Sequence, residues 1–386
     1  MKLRGAIILA AVDWNFLRQR VHHLATGLAQ AGLKVLFVEN TAVRSPRFTD
    51  LPRIFRRLET AIIRPIHSDG EPLPANLTIY SPLAAPWPYN KVAVAWNYSL
   101  LNQRVKKFLE EEKLKPEEVL LFTYLATPLA LRLIESYPWV SVVYDVVSDP
   151  KQVEPRLAPF EEKLLQRANV TLFASATLLE QYRDHTKNPV LFRDGFNTEL
   201  LEAKVETPPE VARLPRPRLL YIGGINRKLW VEAIKALCEA VPHGSVILMG
   251  PVAHGEVVLP KLPNLYLLPL RRKYIELAGV LRTADVGLIP YRPDHYAGNM
   301  HPSKLNEYLV FGLPVVATAT QELERLAQEF PVKLFYFGRT PTEFAEAGLL
   351  ALAKNINLQE GKIQILTTQF RWRERVRDFL RLCENN

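Results

Sequence analysis

Two cysteines and three methionines are all the sulfur that 386 residues carry. Cys238 and Cys383 cannot build a disulfide framework, and a reducing cytoplasm suits them best. No apolar run approaches the ~20 residues that span a bilayer. The short apolar run from Gly5 to Val12 follows a basic start, but it ends at Asp13 and leads into a helical pattern, so it reads as a first buried strand and not as a signal peptide. Several catalytic signatures are missing: a His-x-Glu-x-x-His helix, a Cys-x-x-Cys pair, a P-loop lysine and a Gly-x-Ser-x-Gly elbow. Metal hydrolysis, P-loop ATP cleavage and serine hydrolysis therefore have no basis in the sequence. The first turn, Asp13-Trp14-Asn15, also lacks the glycines of a dinucleotide site, which argues against a dehydrogenase built on this half.

What is present is positive charge, proline and length. A net charge of +9 favours anionic partners without separating nucleic acid, nucleotide, lipid headgroup and phosphorylated glycan. The basic residues are scattered and match no nucleic-acid-binding module. Thirty prolines beside so little methionine and cysteine suit a heat-adapted protein. At this length one core stops growing, so two domains are expected. Pro208, Pro209, Pro215 and Pro217, set among polar residues, place a linker at 196–217.

Strand and helix patterns alternate on both sides of that linker, predicting an α/β chain of two doubly wound parallel sheets. The first unit is the strand at 6–12, a helix from about Phe16 to Gln30 and a strand at 34–39. Further strands are expected at 76–81, 118–123, 139–145 and 169–174, with helices at 97–112, 127–136 and 153–167. After the linker come strands at 218–222, 245–251, 265–268, 285–290 and 332–337, with helices at 230–240, 341–354 and 370–384. Open α/β sheets bind ligands at the carboxyl ends of their strands. That rule singles out Arg18, Arg20, His22 and His23 after the first strand, and Asp145 and Asp149 after the strand at 139–145. Solvated helix positions explain the basic residues equally well, and a cap or loop-stabilising role explains the two aspartates.

Between Arg44 and His67 six arginines face only Asp50 and Glu59. Ile54, Phe55, Leu58, Ile62 and Ile63 keep a rough helical spacing, so this stretch reads either as a basic amphipathic helix on an anionic membrane surface or as a solvated helix packed on its own domain.

The best-determined stretch runs from Tyr296 to Thr320 and reads as loop, short helix, tight turn and buried strand. Pro302 suits a first helical position, Gly312 the left-handed residue after the last turn, and Pro314 blocks resumption. Lys304 and Glu307 lie three apart and share a face beside unsatisfied amides, an arrangement that suits a phosphate with ribose hydroxyls on the carboxylate. Upstream, the strand ending at Ile222 meets Gly223-Gly224 and then Arg227 and Lys228. Paired glycines let backbone amides approach a diphosphate, although such turns also occur without a ligand. With the basic turn Arg271-Arg272-Lys273, these residues describe a site for a nucleotide diphosphate carrying something else.

Asp285-Val-Gly-Leu-Ile-Pro-Tyr291, Asn299, Pro302, Lys304, Glu307-Tyr308-Leu309, Gly312 and Pro314-Val-Val-Ala-Thr318 together resemble the nucleotide-sugar site of GT-B glycosyltransferases, in particular the large GT4-like group. The likeness covers nearly the whole chain. Trp14, Arg20, His23-Leu24-Ala25, Val143-Tyr144-Asp145, Ala174 to Thr177, Asp194 to Asn197 and Trp372 are similar to the branch of teichuronic-acid-type transferases. The resemblance implies a GT-B fold in which two Rossmann-like domains face a central cleft. Residues 1–195 would form the acceptor-side domain, joined by the returning helix 370–386, and residues 218–369 would bind the donor. It implies a retaining, metal-independent transfer from a UDP- or GDP-linked sugar to a glycan or lipid-linked acceptor in envelope or exopolysaccharide synthesis. The setting would be the cytoplasm or the inner face of the plasma membrane.

By the same resemblance, Glu307 takes the ribose, and His301, Pro302, Ser303 and Lys304 lie at the diphosphate. Gly223, Gly224, Arg227, Lys228, Gly250 and Tyr291 belong to the donor site, and Leu270 or Arg271 lies beside the base. Trp14, Arg18, Arg20 and His22 fall on the acceptor side. Asn299, Lys304, Asp145 and Asp149 are the catalytic candidates. Two departures stand out. Asn299 replaces the first glutamate of the family's Glu-x7-Glu pair, and Gly224 replaces the usual arginine. They leave two rivals open: a sugar-nucleotide epimerase of the same fold, and a degenerate transferase that acts as a scaffold.

Overall fold

The computed structural model describes residues 3–15, 18–39, 73–253, 255–269, 271, 273–293, 299–330, 333–353 and 370–384. The chain divides into two compact units, Met1–Arg193 with Arg375–Asn386, and Asp194–Glu374.

Among the described residues the first unit is built on seven strands: β1 Gly5–Leu9, β2 Lys34–Val38, β3 Leu77–Tyr80, β4 Val119–Thr123, β5 Ser141–Val146, β6 Val170–Phe173 and β7 Pro189–Leu191. All pair in parallel, in the order β3-β2-β1-β4-β5-β6-β7. Continuous runs such as Gly-Ala-Ile-Ile-Leu suit strands covered on both faces, and β1, β4, β5 and β6 are buried throughout. One face packs on Leu101, Val105 and Phe108 of the helix Lys91–Glu111 and on the helix Pro128–Ser136. β7 has no expectation in the sequence, because it is three half-buried residues long and opens on a proline at the sheet edge. The last helix contributes Phe379, whose ring lies 5.1 Å from Phe122 and 6.1 Å from Phe192. Val376 fills the space that a side chain on Gly27 would need.

Among its described residues the second unit has six parallel strands: β8 Arg218–Ile222, β9 Ser245–Met249, β10 Leu265–Leu268, β11 Val286–Ile289, β12 Val315–Thr318 and β13 Phe335–Gly338. Their order is β10-β9-β8-β11-β12-β13. A core lies on each face of this sheet, one around Tyr308 and Leu309 and the other around Ile234, Leu237 and Phe344. Residues 196–217 belong to this unit. Leu200 and Val211, on the short helices Glu199–Glu202 and Pro209–Ala212, are buried in its core. The apolar residues inside that proline-rich stretch, and not its composition, decide where it packs.

Candidate functional site

In the second unit, β8 and β9 both end in glycines with positive φ, Gly223 at 142° and Gly250 at 156°. A Cβ on Gly250 would stand 2.0 Å from the Gly223 carbonyl oxygen, so the two turns touch through bare backbone. Gly223 N–H donates to the Met249 carbonyl and Ile225 N–H to that of Pro251, both at 2.9 Å. The Gly224 amide between them has no partner among the described residues.

Lys304 points at this turn, because a Cβ on Gly223 would meet its Cε at 3.0 Å and its Nζ at 3.3 Å. The ammonium donates to the Tyr291 hydroxyl at 2.5 Å. It also lies over two rings, 4.9 Å from the Tyr221 centroid and 4.8 Å from that of Tyr291. Burial opposes its charge, but the Tyr221 and Tyr291 oxygens and the Glu307 carboxylate outweigh burial and raise its pKa. The cation is thus held beside backbone that a side chain would obstruct.

Glu307 follows one turn along. Tyr274 O–H donates to its Oε1 at 2.6 Å, while Oε2 is buried with no hydrogen-bond partner among the described residues. Burial pushes its carboxyl up to about 7, against the bond from Tyr274, with Asp194 adding repulsion. A buried acceptor left open in this way is the group a ligand hydroxyl would satisfy.

The helix Lys304–Val310 is fixed from beneath. Tyr308 O–H lies 3.0 Å from the Leu220 carbonyl and accepts from Ile222 N–H at 3.1 Å. Its ring fills the space left by Gly287 on β11. The Asn306 amide donates to the carbonyls of Asp194 and Gly195 at 3.1 and 3.0 Å, and its Oδ1 lies 3.1 Å from His301 Nε2, which therefore carries the proton. The helix begins two residues later than expected: Lys304 is its first residue, and the buried Pro302 contributes a carbonyl to Leu305 N–H in a tight first turn. Its far end follows the expectation, with Gly312 at φ 65° and the Gly312 and Leu313 amides returning to Leu309 and Tyr308.

Of the other donor-side candidates, Lys228 lies on the segment beside Tyr291, its carbonyl accepting from Arg292 N–H at 2.8 Å. The Arg227 side chain is exposed and that of Lys228 half-buried. Arg271 donates to Glu210 at 2.6 Å. Ser303 is exposed and Asn299 half-buried. Leu270 and Arg272, like the expected helix start at Phe16 and the arginine-rich segment 44–67, lie outside the described residues.

In the first unit an acceptor-side candidate and a catalytic candidate join each other. Arg20 grips both oxygens of Asp145 at 2.6 and 2.9 Å, donates to the Phe192 carbonyl at 2.5 Å and lies over the Phe192 ring. Both residues are buried, so Asp145 is the fixed partner of the Arg20 guanidinium. Asp149 is similarly engaged, accepting from Tyr182 O–H at 2.8 Å, Lys151 N–H at 3.0 Å and Gln181 at 3.2 Å. For both aspartates the geometry favours the loop-stabilising reading.

His22 accepts from Gln19 N–H through Nδ1 and donates through Nε2 to the Asp13 carbonyl, while burial lowers its pKa to about 4. It is therefore a neutral ring that closes the helix start. Trp14 packs edge-on against it at 5.2 Å and donates its backbone N–H to Glu39 Oε1. Arg18 is half-buried nearby in the chain.

Tyr221, Tyr274 and Asn306 were missed by the sequence reading. Tyr221 had a signal, one residue before the end of a strand that runs into paired glycines. Tyr274 had none, since its pairing with Glu307 spans 33 residues.

No protein-family model matches the chain. Over 260 residues it is 26% identical to the putative teichuronic acid biosynthesis glycosyltransferase TuaH of Bacillus subtilis, a match covering 61% of this chain and 64% of that relative. Among solved structures it is similar to sucrose-phosphate synthase of Thermosynechococcus elongatus, with a TM-score of 0.63 and 16% identity, covering 99% of this chain and 97% of that one. It is also similar to an E. coli trehalose-6-phosphate protein bound with UDP-2-fluoro glucose, with a TM-score of 0.64 and 14% identity, covering 98% and 99%. A third is Anabaena HepE in complex with UDP and glucose, with a TM-score of 0.65 and 12% identity, covering 99% and 100%. Two Rossmann-like parallel-sheet units, seven and six strands wide, and these neighbours identify the fold of the chain as the GT-B fold.

Proposed function

We propose that the chain is a glycosyltransferase that moves a sugar from a nucleotide diphosphate to a glycan or lipid-linked acceptor. The observation that carries this reading is Lys304, held by Tyr221 and Tyr291 against the Gly223-Gly224 turn, with the open carboxylate oxygen of Glu307 one turn away. The diphosphate would lie along the glycine turn, accept from the Gly224 amide and meet the Lys304 ammonium. The ribose hydroxyls would donate to Glu307. The relative's name and the UDP complexes of the structural neighbours support a nucleotide-sugar donor.

In the reaction the bond from the sugar anomeric carbon to the diphosphate oxygen breaks, and its electron pair leaves on that oxygen. Lys304 and the backbone amides stabilise the charge as it develops, the largest contribution expected of fixed donors in a water-poor site. The acceptor oxygen forms the new bond on the same face and passes its proton to the departing diphosphate. This is a retaining course without a resident metal. Asn299 takes the place of a carboxylate, so it offers hydrogen bonds but no negative charge to the sugar. Teichuronic-acid-type or related envelope polysaccharide synthesis at the inner face of the plasma membrane is the setting we assign.

Incubation with UDP- and GDP-sugars and glycan or polyprenyl-linked acceptors, read by mass spectrometry, tests this reading. A lengthened acceptor with stoichiometric nucleoside diphosphate supports it. Interconversion of the donor without acceptor would mark an epimerase, and no turnover of any donor would point to a scaffold.

A further inference from the structure

The stretch from Ser81 to Gln103 contains one charged residue, Lys91, although much of it lies at the surface. Within it Leu83, Trp87, Val92 and Trp96 are 53%, 54%, 78% and 60% exposed. Four large apolar side chains this exposed within one short stretch exceed the single scattered ones of an ordinary surface.

Polar bonds fix the backbone that carries these side chains. Asn97, on the helix Lys91–Glu111, accepts from Ala85 N–H at 2.6 Å and donates to the Ala85 carbonyl at 2.9 Å, tying the loop to the helix. Asn90 caps that helix through Val92 and Ala93 N–H. Pro82, Pro86 and Pro88 stiffen the loop. Val92 and Trp96 lie four apart on the exposed helix face.

Cations contact the same stretch of chain. Lys91 is exposed on it, Arg132 lies over the Tyr98 ring at 4.1 Å, and Arg156 lies over Tyr89 at 4.6 Å with Glu154 as its carboxylate partner. The loop leaves β3 at Ser81, whose hydroxyl bonds Glu39. Glu39 is the last described residue before the chain that carries six arginines between 44 and 64.

We propose that this tryptophan surface of the first unit docks on an anionic lipid bilayer, with Trp87 and Trp96 at the headgroup level and Lys91, Arg132 and Arg156 against lipid phosphates. Tryptophan suits that boundary because its ring is apolar and its N–H remains wet. The paucity of carboxylates favours an anionic surface over a basic protein partner. The inference deepens the membrane setting assigned above and does not depend on the donor site.

The test is co-sedimentation of the full chain with vesicles of phosphatidylglycerol and phosphatidylcholine at 1:3, compared with phosphatidylcholine alone. The wild type is expected to prefer the anionic vesicles, and Trp87→Ala/Trp96→Ala to lose about tenfold or more in partition, the loss expected for two large apolar side chains left in water. Brominated lipid should quench wild-type tryptophan emission and quench the variant less. Equal binding by variant and wild type overturns the proposal, as does a wild-type dimer in sedimentation velocity that the double substitution disperses, which would assign the surface to a second copy. Unchanged melting and nucleotide binding in the variant keep a folding defect apart from lost docking. Failure of the donor reading would appear only as absent sugar-nucleotide binding.

Discussion

Replacing Glu307 by glutamine should make the protein more stable and bind its donor less well. The folded carboxyl has its pKa raised by burial from 4.5 to about 7. A group raised in the folded state contributes stability that is full below the unfolded pKa and is lost as pH rises through the folded one. Holding the carboxylate ionised at pH 8 therefore costs at most about 3 kcal/mol, at about 1.4 kcal/mol per tenfold in proton affinity. Water reaching the half-buried side chain reduces this to about 1–2 kcal/mol. Glu307→Gln removes the cost, so the second unit should melt about 3–6 °C higher at pH 8 and close to wild type near pH 4.5. The same change removes a charged acceptor for ribose hydroxyls, worth about 1.5–3 kcal/mol, so nucleotide affinity should fall about 10- to 100-fold at pH 8. Wild-type affinity should itself weaken as pH drops below about 7, when the carboxyl takes up its proton. Differential scanning fluorimetry and calorimetric titration of UDP and GDP at pH 6 and 8 read both effects. A glutamine variant that melts lower at pH 8, or that binds nucleotide like the wild type, would refute the reasoning.

Two further substitutions probe the frame. Gly250→Ala puts a Cβ into the Gly223 carbonyl at a φ that L-residues avoid, and should cost about 3 kcal/mol or more in denaturant unfolding while abolishing nucleotide binding; wild-type stability would show that the two turns do not touch. Arg20→Met strands the buried Asp145 and should cost about 3–5 kcal/mol, much of it recovered in Arg20→Met/Asp145→Leu. No recovery would mean that Arg20 matters through something other than its pair.

The sheet orders are repetitions of one unit, and hydrophobic runs bounded by turn residues reveal such units. β8, β9 and β10 therefore start where the sequence places them. Boundaries failed where a tertiary feature replaced the local pattern. The helix expected from 97 starts at Lys91, because its first turns expose Val92 and Trp96 and carry no amphipathic signal, while Asn90 caps them. The helix expected at 153–167 is broken by Pro155, and Pro150–Val153 and Ala158–Arg167 stand apart. In the site, Lys304, Glu307 and the paired glycines were legible because helix spacing and glycine turns are local. Lys304 with Tyr291, Glu307 with Tyr274 and Arg20 with Asp145 were not, since nothing local encodes partners 13 to 125 residues apart.

Calorimetric titration of the intact chain with a panel of UDP- and GDP-sugars, wild type beside Lys304→Ala, tests the donor site most directly. The account predicts saturable binding of at least one sugar nucleotide at one site per chain, weakened at least about tenfold by the substitution through loss of a charged contact to phosphate. Binding that is equal in the two proteins, or absent from the wild type for every donor, would contradict it.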